Sequence, residues 1–483
     1  MTKLEHELRT TRKKASHITS RLPPEILCEI FRWTLLSEED YTRRVNGRNV
    51  LIAPWRLCHV NTYWREVARD DSHLWSRIVI NCDQIWHQDG YVRCIPDLEY
   101  PLAALGSQLS LSRAASISVE FHLQEPDSNG NLQHLADLLN LLIAESHRWV
   151  RLVVGTSGDP ETTLLNSLSR VHGRLDRLRH LQVVHWRSGS WPLGLRDTFG
   201  VVPTLQEVSL PFNLPFCRPS GISLDYRQLT TLHMTVPPSL ALELLSALQN
   251  VVDLTLLVGY WGGDEESIPG SVSNLITLPR LRRFALDWGS DLIQYLATPN
   301  LESLRLSNTG VNHIPALIRR SACQLQSLKI TFDSEHETGL AAVIAILRVS
   351  PDLSHLEFDF DPESSEDEYL SLLAHWFSAL TLTHAPSDIC AKLATFEFGS
   401  LEDNTMSRQF GDALCHNLCG MLESRWNMSV HQRCLRRVRM PEAFYEVAIW
   451  QRLEALRLDG LDIQHFSNDN DYEDDNDWQV GDA

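Results

Sequence analysis

One short pattern constrains this chain more than any other: apolar, two residues, apolar, one residue, apolar. It occurs at Leu178/Leu181/Val183, Leu205/Val208/Leu210, Leu229/Leu232/Met234 and Val251/Leu254/Leu256. It continues at Leu281/Phe284/Leu286, Leu301/Leu304/Leu306, Leu325/Leu328/Ile330 and Leu353/Leu356/Phe358, then at Leu393/Phe396/Phe398 and Leu453/Leu456/Leu458. Weaker copies stand at Ala114/Ile117/Val119 and Trp149/Leu152/Val154. The copies recur every ~20–30 residues in the centre and about 40 near the ends. Helical patterns lie between them, as in 240–248, closed by Asn250, and in 341–347, stopped by Ser350-Pro351. One strand and one helix cannot bury each other's apolar faces alone. Stacking such units creates a continuous core and lines the strands into a parallel sheet.

A second feature lies ahead of the repeats. Leu22-Pro23-Pro24-Glu25-Ile26-Leu27 opens an apolar helix that continues through Ile30 and Phe31, with Ser20 as its cap and Glu25 at its positive end. The polar stretch 36–50 interrupts it. A helix expected from Pro54 carries Trp55, Val60, Trp64, Val67 and Ala68, and Asp70-Asp71-Ser72 ends it. Leu74-Trp75 then leads into a strand through Ile80. So small a module cannot hide all of these residues in a core of its own, which points to a docking surface.

Composition narrows the function. The 483 residues are 43% hydrophobic and carry a net charge of −19, which disfavours nucleic acid and anionic membranes as partners. No apolar run is long enough to span a bilayer, and the charged N-terminus lacks the apolar core of a signal peptide. The expected location is the cytoplasm, the nucleus or both. The ten cysteines then read as reduced thiols. Cys415, Cys419, His431 and Cys434 are zinc-capable residue types, but the four-residue step from Cys415 to Cys419 suits one face of a helix. No metal and no cofactor is expected. A phosphate-cradling loop, a serine elbow and a zinc-protease motif are absent; Gly155-Thr-Ser-Gly158 lacks the lysine that phosphate binding needs. No enzyme is expected.

The repeats resemble the leucine-rich-repeat family over residues 114–462. They depart from it where the family places Asn or Cys, three residues after the third apolar position. Only Asn213 fits clearly; Trp186, Pro237, Gly289, Thr309, Asp333, Asp361 and Leu461 occupy the other sites. The module at 20–80 resembles an F-box, in the F-box-like form abundant in fungal proteins. Together these resemblances imply an α/β chain: a small all-helical module, then an irregular solenoid with a curved parallel sheet. Residues 1–19 read as a charged helix, 81–113 as a connection or irregular first repeat, and 463–483 as an acidic disordered tail.

The F-box resemblance implies binding to a Skp-type adaptor and, through it, to a cullin–RING ubiquitin ligase. The matching positions are Leu22, Pro23, Ile26, Leu27, Ile30, Phe31, Val60, Trp64, Leu74 and Trp75. Which face the adaptor and which close the module's own core stays open. The alternative is a repeat scaffold that never engages a ligase.

Side chains alternate along a strand, so residues flanking the middle apolar position face the concave side. That face comprises His180/Gln182, Glu207/Ser209, Thr231/His233, Asp253/Thr255, Arg283/Ala285, Ser303/Arg305, Ser327/Lys329, His355/Glu357, Thr395/Glu397 and Ala455/Arg457. Arg283, Arg305 and Lys329 fall in successive copies and suggest a site for an acidic or phosphorylated segment of a protein client. The acidic loop 359–368 holds Ser364 and Ser365, candidates for phosphorylation.

Overall fold

The structure is a computed structural model of the chain. It describes residues 22–35, 53–81, 102–124, 132–157, 166–184, 197–210, 224–258, 275–307, 311–332, 339–360, 374–383, 389–398, 412–428, 433–441 and 447–466. The N-terminal segment 1–19, the insert 36–50, most of the loop 359–368, Asn213, His431 and the tail beyond Phe466 lie outside these residues. The chain divides into two compact units, Met1–Leu229 and Thr230–Ala483.

The first unit opens with three helices, α1 (Pro24–Leu35), α2 (Ala53–Val60) and α3 (Thr62–Asp70). The single helix expected from Pro54 is therefore two. Asn61 breaks it: its backbone is extended, and its side-chain oxygen accepts from the amide of Trp64 at 2.8 Å. That satisfies one of the amides a helix start leaves open. A 3-10 turn, Ser72–Trp75, leads into β1 (Arg77–Asn81). There follow α4 (Leu102–Leu111), β2 (Ile117–Gln124), α5 (Leu132–Ala144), β3 (Trp149–Ser157), β4 (His180–Val184) and β5 (Glu207–Ser209). Strands β1 to β5 pair in chain order, all parallel.

The second unit continues this scheme. Its elements are β6 (Thr231–Val236), α6 (Pro238–Ala247), β7 (Asp253–Val258), β8 (Ile276–Thr277), β9 (Arg283–Asp287), β10 (Leu296–Ala297) and β11 (Ser303–Ser307). Then come α7 (Ile314–Ser321), β12 (Ser327–Phe332), α8 (Gly339–Val349), β13 (His355–Phe360) and β14 (Thr395–Phe398). Last are α9 (Asp412–Trp426), β15 (Arg437–Pro441), α10 (Val447–Leu458) and β16 (Asp462–Phe466). Nine of these strands form a parallel sheet in the order β6-β7-β9-β11-β12-β13-β14-β15-β16; β8 and β10 pair separately.

Register explains the recurring pattern. Leu254, Phe284, Leu304, Leu328, Leu356, Phe396 and Val438 stand side by side across seven strands, and each is fully buried. Leu256, Leu286, Leu306, Ile330, Phe358 and Phe398 form a second buried row. The first apolar residue of the central copies, such as Leu281, Leu301 or Leu325, is buried in the turn before its strand. Just before most of these strands, one carbonyl accepts from two successive amides of the next turn of chain. The carbonyl of Glu302, for example, takes the amides of Gln326 and Ser327 at 2.8 and 3.0 Å.

One copy is corrected. Leu453/Leu456/Leu458 lies in helix α10, so Ala455 and Arg457 are not strand residues. The step of three from Leu453 to Leu456 fits a helix as well, and both are buried, whereas Leu458, five residues beyond Leu453, falls on another side and points into solvent at 77% exposure. Arg452 reaches Glu423 on α9 with two bonds of 2.7 Å, and Gly460, at φ 106°, follows the helix end. The strand that the pattern missed is β15, with Leu435, Val438 and Met440 buried among four arginines. Strand β16 also runs to Phe466, past residue 462.

Three arginines, two of them buried and one half-buried, tie helical segments to the preceding turn of chain. Arg148 bonds the carbonyl of Ala115 and the hydroxyl of Ser112 at 2.9 and 2.7 Å. Arg320 bonds the carbonyls of Leu296 and Ile293 at 2.6 and 2.5 Å, and burial lowers its pKa. Arg425, only 2% exposed, bonds the carbonyls of Leu380, Ile389 and Cys390. The Cys390 carbonyl also accepts the Leu393 amide at 3.1 Å. Changing Arg425 to Ala should cost about 2–4 kcal/mol, since buried acceptors lose a charged donor. Changing the exposed Arg437, paired with Asp462, should cost less than ~1 kcal/mol. Urea midpoints of the two variants check the contrast.

Candidate functional site

Helix α1 carries apolar residues on two faces. Leu27 and Phe31 are four apart and fully buried. Ile26, Ile30 and Trp33, at steps of four and three, make a second stripe about 100° around the helix. These three are 49%, 40% and 68% exposed. Pro23 precedes the stripe and is exposed; Val60, at the end of α2, is exposed as well.

The inner face closes a core made of Leu27, Phe31, Cys58, Val67, Ala68, Leu74 and Trp75. Phe31 packs against Trp64 with ring centres 4.9 Å apart, and Trp55 meets Trp75 edge-on at 4.8 Å. The Trp75 indole donates to the carbonyl of Ala68 at 2.7 Å. Tyr63 donates from its hydroxyl to the carbonyl of Leu22 at 2.7 Å, fixing the approach to α1. Arg32 grips the buried Asp71 at 3.0 Å, and Asp71 also accepts the amide of His73 and so starts the turn that delivers Trp75. Burial, followed by the nearby Asp71, pushes the Cys28 thiol up, and burial does the same to Cys58. Neither is a ready nucleophile.

The candidate residues therefore separate into two sets. Leu27, Phe31, Leu74 and Trp75 build the module, and Leu22 and Trp64 lean on its core. Pro23, Ile26, Ile30 and Val60 are left on the surface. Trp33 belongs with them and was missed, although its place four and three residues beyond Glu29 and Ile30 was there to see; its indole bonds Glu29 at 3.2 Å. An exposed apolar stripe of this kind, rimmed by Glu29 and Arg32, suits a protein partner.

Residues 19–81 match the family model described as F-box-like. The chain carries an F-box-like domain. That match covers the described helices α1 to α3, the turn Ser72–Trp75 and β1. No curated protein matches the chain. No helix among the described residues is long and apolar enough to cross a membrane.

The sheet face of the second unit places the three cations apart in environment. Arg283 pairs with Asp253 at 2.7 Å, and Lys329 pairs with Glu357 at 2.6 Å. Arg305 makes no ion pair among the described residues. The face is thus a ladder of cross-strand pairs rather than a run of positive charge; Arg437–Asp462 at 2.9 Å extends it. Burial alone would raise the Glu357 carboxyl, but the bond from His355 and the charge and bond of Lys329 outweigh it and hold it at about 2. Cys419 lies buried on α9 with its thiol raised to about 11 by burial, and no group of three His, Cys, Asp or Glu among the described residues is arranged to hold a metal.

Two outcomes are expected. Leu27→Ala and Trp75→Ala should each destabilise the F-box-like domain by about 2–5 kcal/mol, whereas Ile30→Ala should change stability by less than ~0.5 kcal/mol; thermal unfolding of the three variants measures this. Glu357 has a depressed pKa, so its contribution is present above about 4.5 and is lost as pH falls through about 2. The gap between the urea midpoints of the unaltered chain and Glu357→Gln should therefore narrow between those two pH values.

Proposed function

We propose that this chain is a substrate-receptor subunit of a Skp–cullin–F-box ubiquitin ligase. The F-box-like domain docks on a Skp-type adaptor, and the repeats capture a protein client. The observation that carries the reading is the outward stripe Ile26, Ile30 and Trp33, with Pro23 and Val60 beside it, on a domain that matches the F-box-like family. A hydrophobic stripe on a helix fits an apolar groove in a partner, and a central Trp is the residue type that most often dominates such contacts. The copies of the apolar pattern, read as leucine-rich repeats, supply a polar strand face for the client.

In this reading the chain performs no chemistry and needs no cofactor or metal. It raises the effective concentration of client lysines near a ubiquitin-carrying enzyme held by the cullin. It works in the cytoplasm or the nucleus, with neither nucleic acid nor membrane as a partner.

Co-expression with a Skp-type adaptor tests this. The intact chain should co-purify with the adaptor. Ile30→Asp and Trp33→Ala should each weaken binding by about 2 kcal/mol or more, some thirtyfold, while leaving the unfolding temperature in place. Failure of the intact chain to bind would favour a repeat scaffold that never meets a ligase.

A further inference from the structure

Arg305 stands out on the strand face. It is half-buried on β11, between Ala285 of β9 and Lys329 of β12 in register. Like charges side by side across strands destabilise a sheet. Glu357 and Glu397 are also neighbours, but the other neighbour of Glu397 is Arg439. Arg305 has only a methyl group on its other side. Its guanidinium forms neither an ion pair nor a side-chain hydrogen bond among the described residues. Around it lie Ser303 and Ser307 on its own strand and Ser327 and Thr331 on the next. None of these four hydroxyls makes a side-chain hydrogen bond among the described residues. An uncompensated guanidinium thus stands on a floor of small, free hydroxyl groups.

A second observation lies at the end of β9. Trp288 has φ 60° and is 45% exposed. A bulky residue held in the left-handed region costs ~1–3 kcal/mol and marks a place where the chain accepts strain. The next residue, Gly289, has φ 72°, and a Cβ there would sit 2.7 Å from Val258. No side chain fits at that position of the turn. Its anchor is the Trp288 amide, which donates to the carbonyl of Ser307 at 3.1 Å, on the strand that carries Arg305. Trp288 is three residues beyond Ala285, so about 10 Å of strand separates it from the level of Arg305. That is close to the span of three polyproline II residues.

We propose that Arg305 and its hydroxyl floor bind one anionic side chain of a peptide in the polyproline II conformation, in which residues three apart share a face about 9 Å apart, and that the apolar side chain three residues away rests on Trp288. The proposal deepens the receptor reading and rests on it for the identity of the peptide as a client segment. The guanidinium engages two oxygens of a carboxylate or phosphate, and the serine and threonine hydroxyls donate to the free lone pairs of the carboxylate or to the remaining phosphate oxygen. Asp287 and Asp359 bound the spot in the neighbouring row, next to Ser307 and Thr331. They repel a second anion close by. That selects a single charged side chain over a polyanion such as nucleic acid.

The test uses the full chain and a labelled pool of randomised eight-residue peptides. One fixed position holds phosphoserine, Glu or Ser; the position three residues away on either side holds Leu or Ser. The two anionic arms should be retained about tenfold or more over the Ser arm, the worth of one charged hydrogen-bonding contact. The stronger anionic arm identifies phosphate or carboxylate as the source. Arg305→Glu should remove that preference without lowering the unfolding temperature. Trp288→Gly should remove the preference for Leu while raising the unfolding temperature, because strain is relieved. Equal retention of the three arms, an unchanged preference in Arg305→Glu, or unchanged Leu selection in Trp288→Gly would overturn the proposal. Adaptor co-purification on the same samples separates the two readings: a chain that selects anionic peptides without binding the adaptor keeps this site and loses the receptor role.

Discussion

Parallel strands paired in register set equivalent positions of successive turns side by side, about 4.8 Å apart. Everything else in the fold answers to that constraint. Apolar positions gain from it, since Leu254, Phe284, Leu304, Leu328, Leu356, Phe396 and Val438 merge into one buried row. Charged positions do not, because identical charges would then stack. At three places the chain answers with alternation: Asp253 beside Arg283, Lys329 beside Glu357, Arg437 beside Asp462; Arg305 beside Lys329 and Glu357 beside Glu397 depart from it. His180 and Glu207 in the first unit, 2.7 Å apart, follow the same rule.

The helical side meets a different demand. Chain that leaves the sheet exposes carbonyls with no strand partner, and buried carbonyls need donors. An asparagine at a fixed turn position is one solution, which this sequence lacks at most of its copies. Long arginines reach back instead. Arg320 and Arg425 each place several donors on carbonyls of the turn before, and Arg148 bonds the Ala115 carbonyl and the Ser112 hydroxyl. Because an arginine can reach from many positions, its register in the sequence is free, and the turns can differ in length.

That freedom sets what could be read from residues alone. The strands were legible because a buried strand after a buried turn forces a fixed three-and-two spacing. Helices at 240–248 and 341–347 were legible from their caps and stops. The spacing failed where its first step also fits a helix, at Leu453/Leu456, and where arginines obscured it, at Leu435/Val438/Met440. Asn61 hid the break between α2 and α3 because an asparagine inside an apolar period reads as one polar residue. The partners of Arg283 and Lys329 needed the register, since each lies about thirty residues away in sequence. Inner and outer faces of α1 could not be told apart by periodicity, because both are apolar; only the core formed with Trp64, Leu74 and Trp75 decides which face turns inward.

The two faces of α1 also divide the ways in which this chain can fail. Twelve residues are too few for a helix to persist alone. The outward stripe is therefore presented only while Leu27 and Phe31 hold α1 against its neighbours. A lesion on the inner face lowers the stability of the domain and leaves the stripe chemically intact, so its effect grows with warming and fades on cooling. A lesion in Ile26, Ile30 or Trp33 leaves the domain folded and is equally severe at every temperature. Temperature-sensitive and temperature-independent alleles of this gene should therefore sort by helix face, one hundred degrees apart on the same short helix.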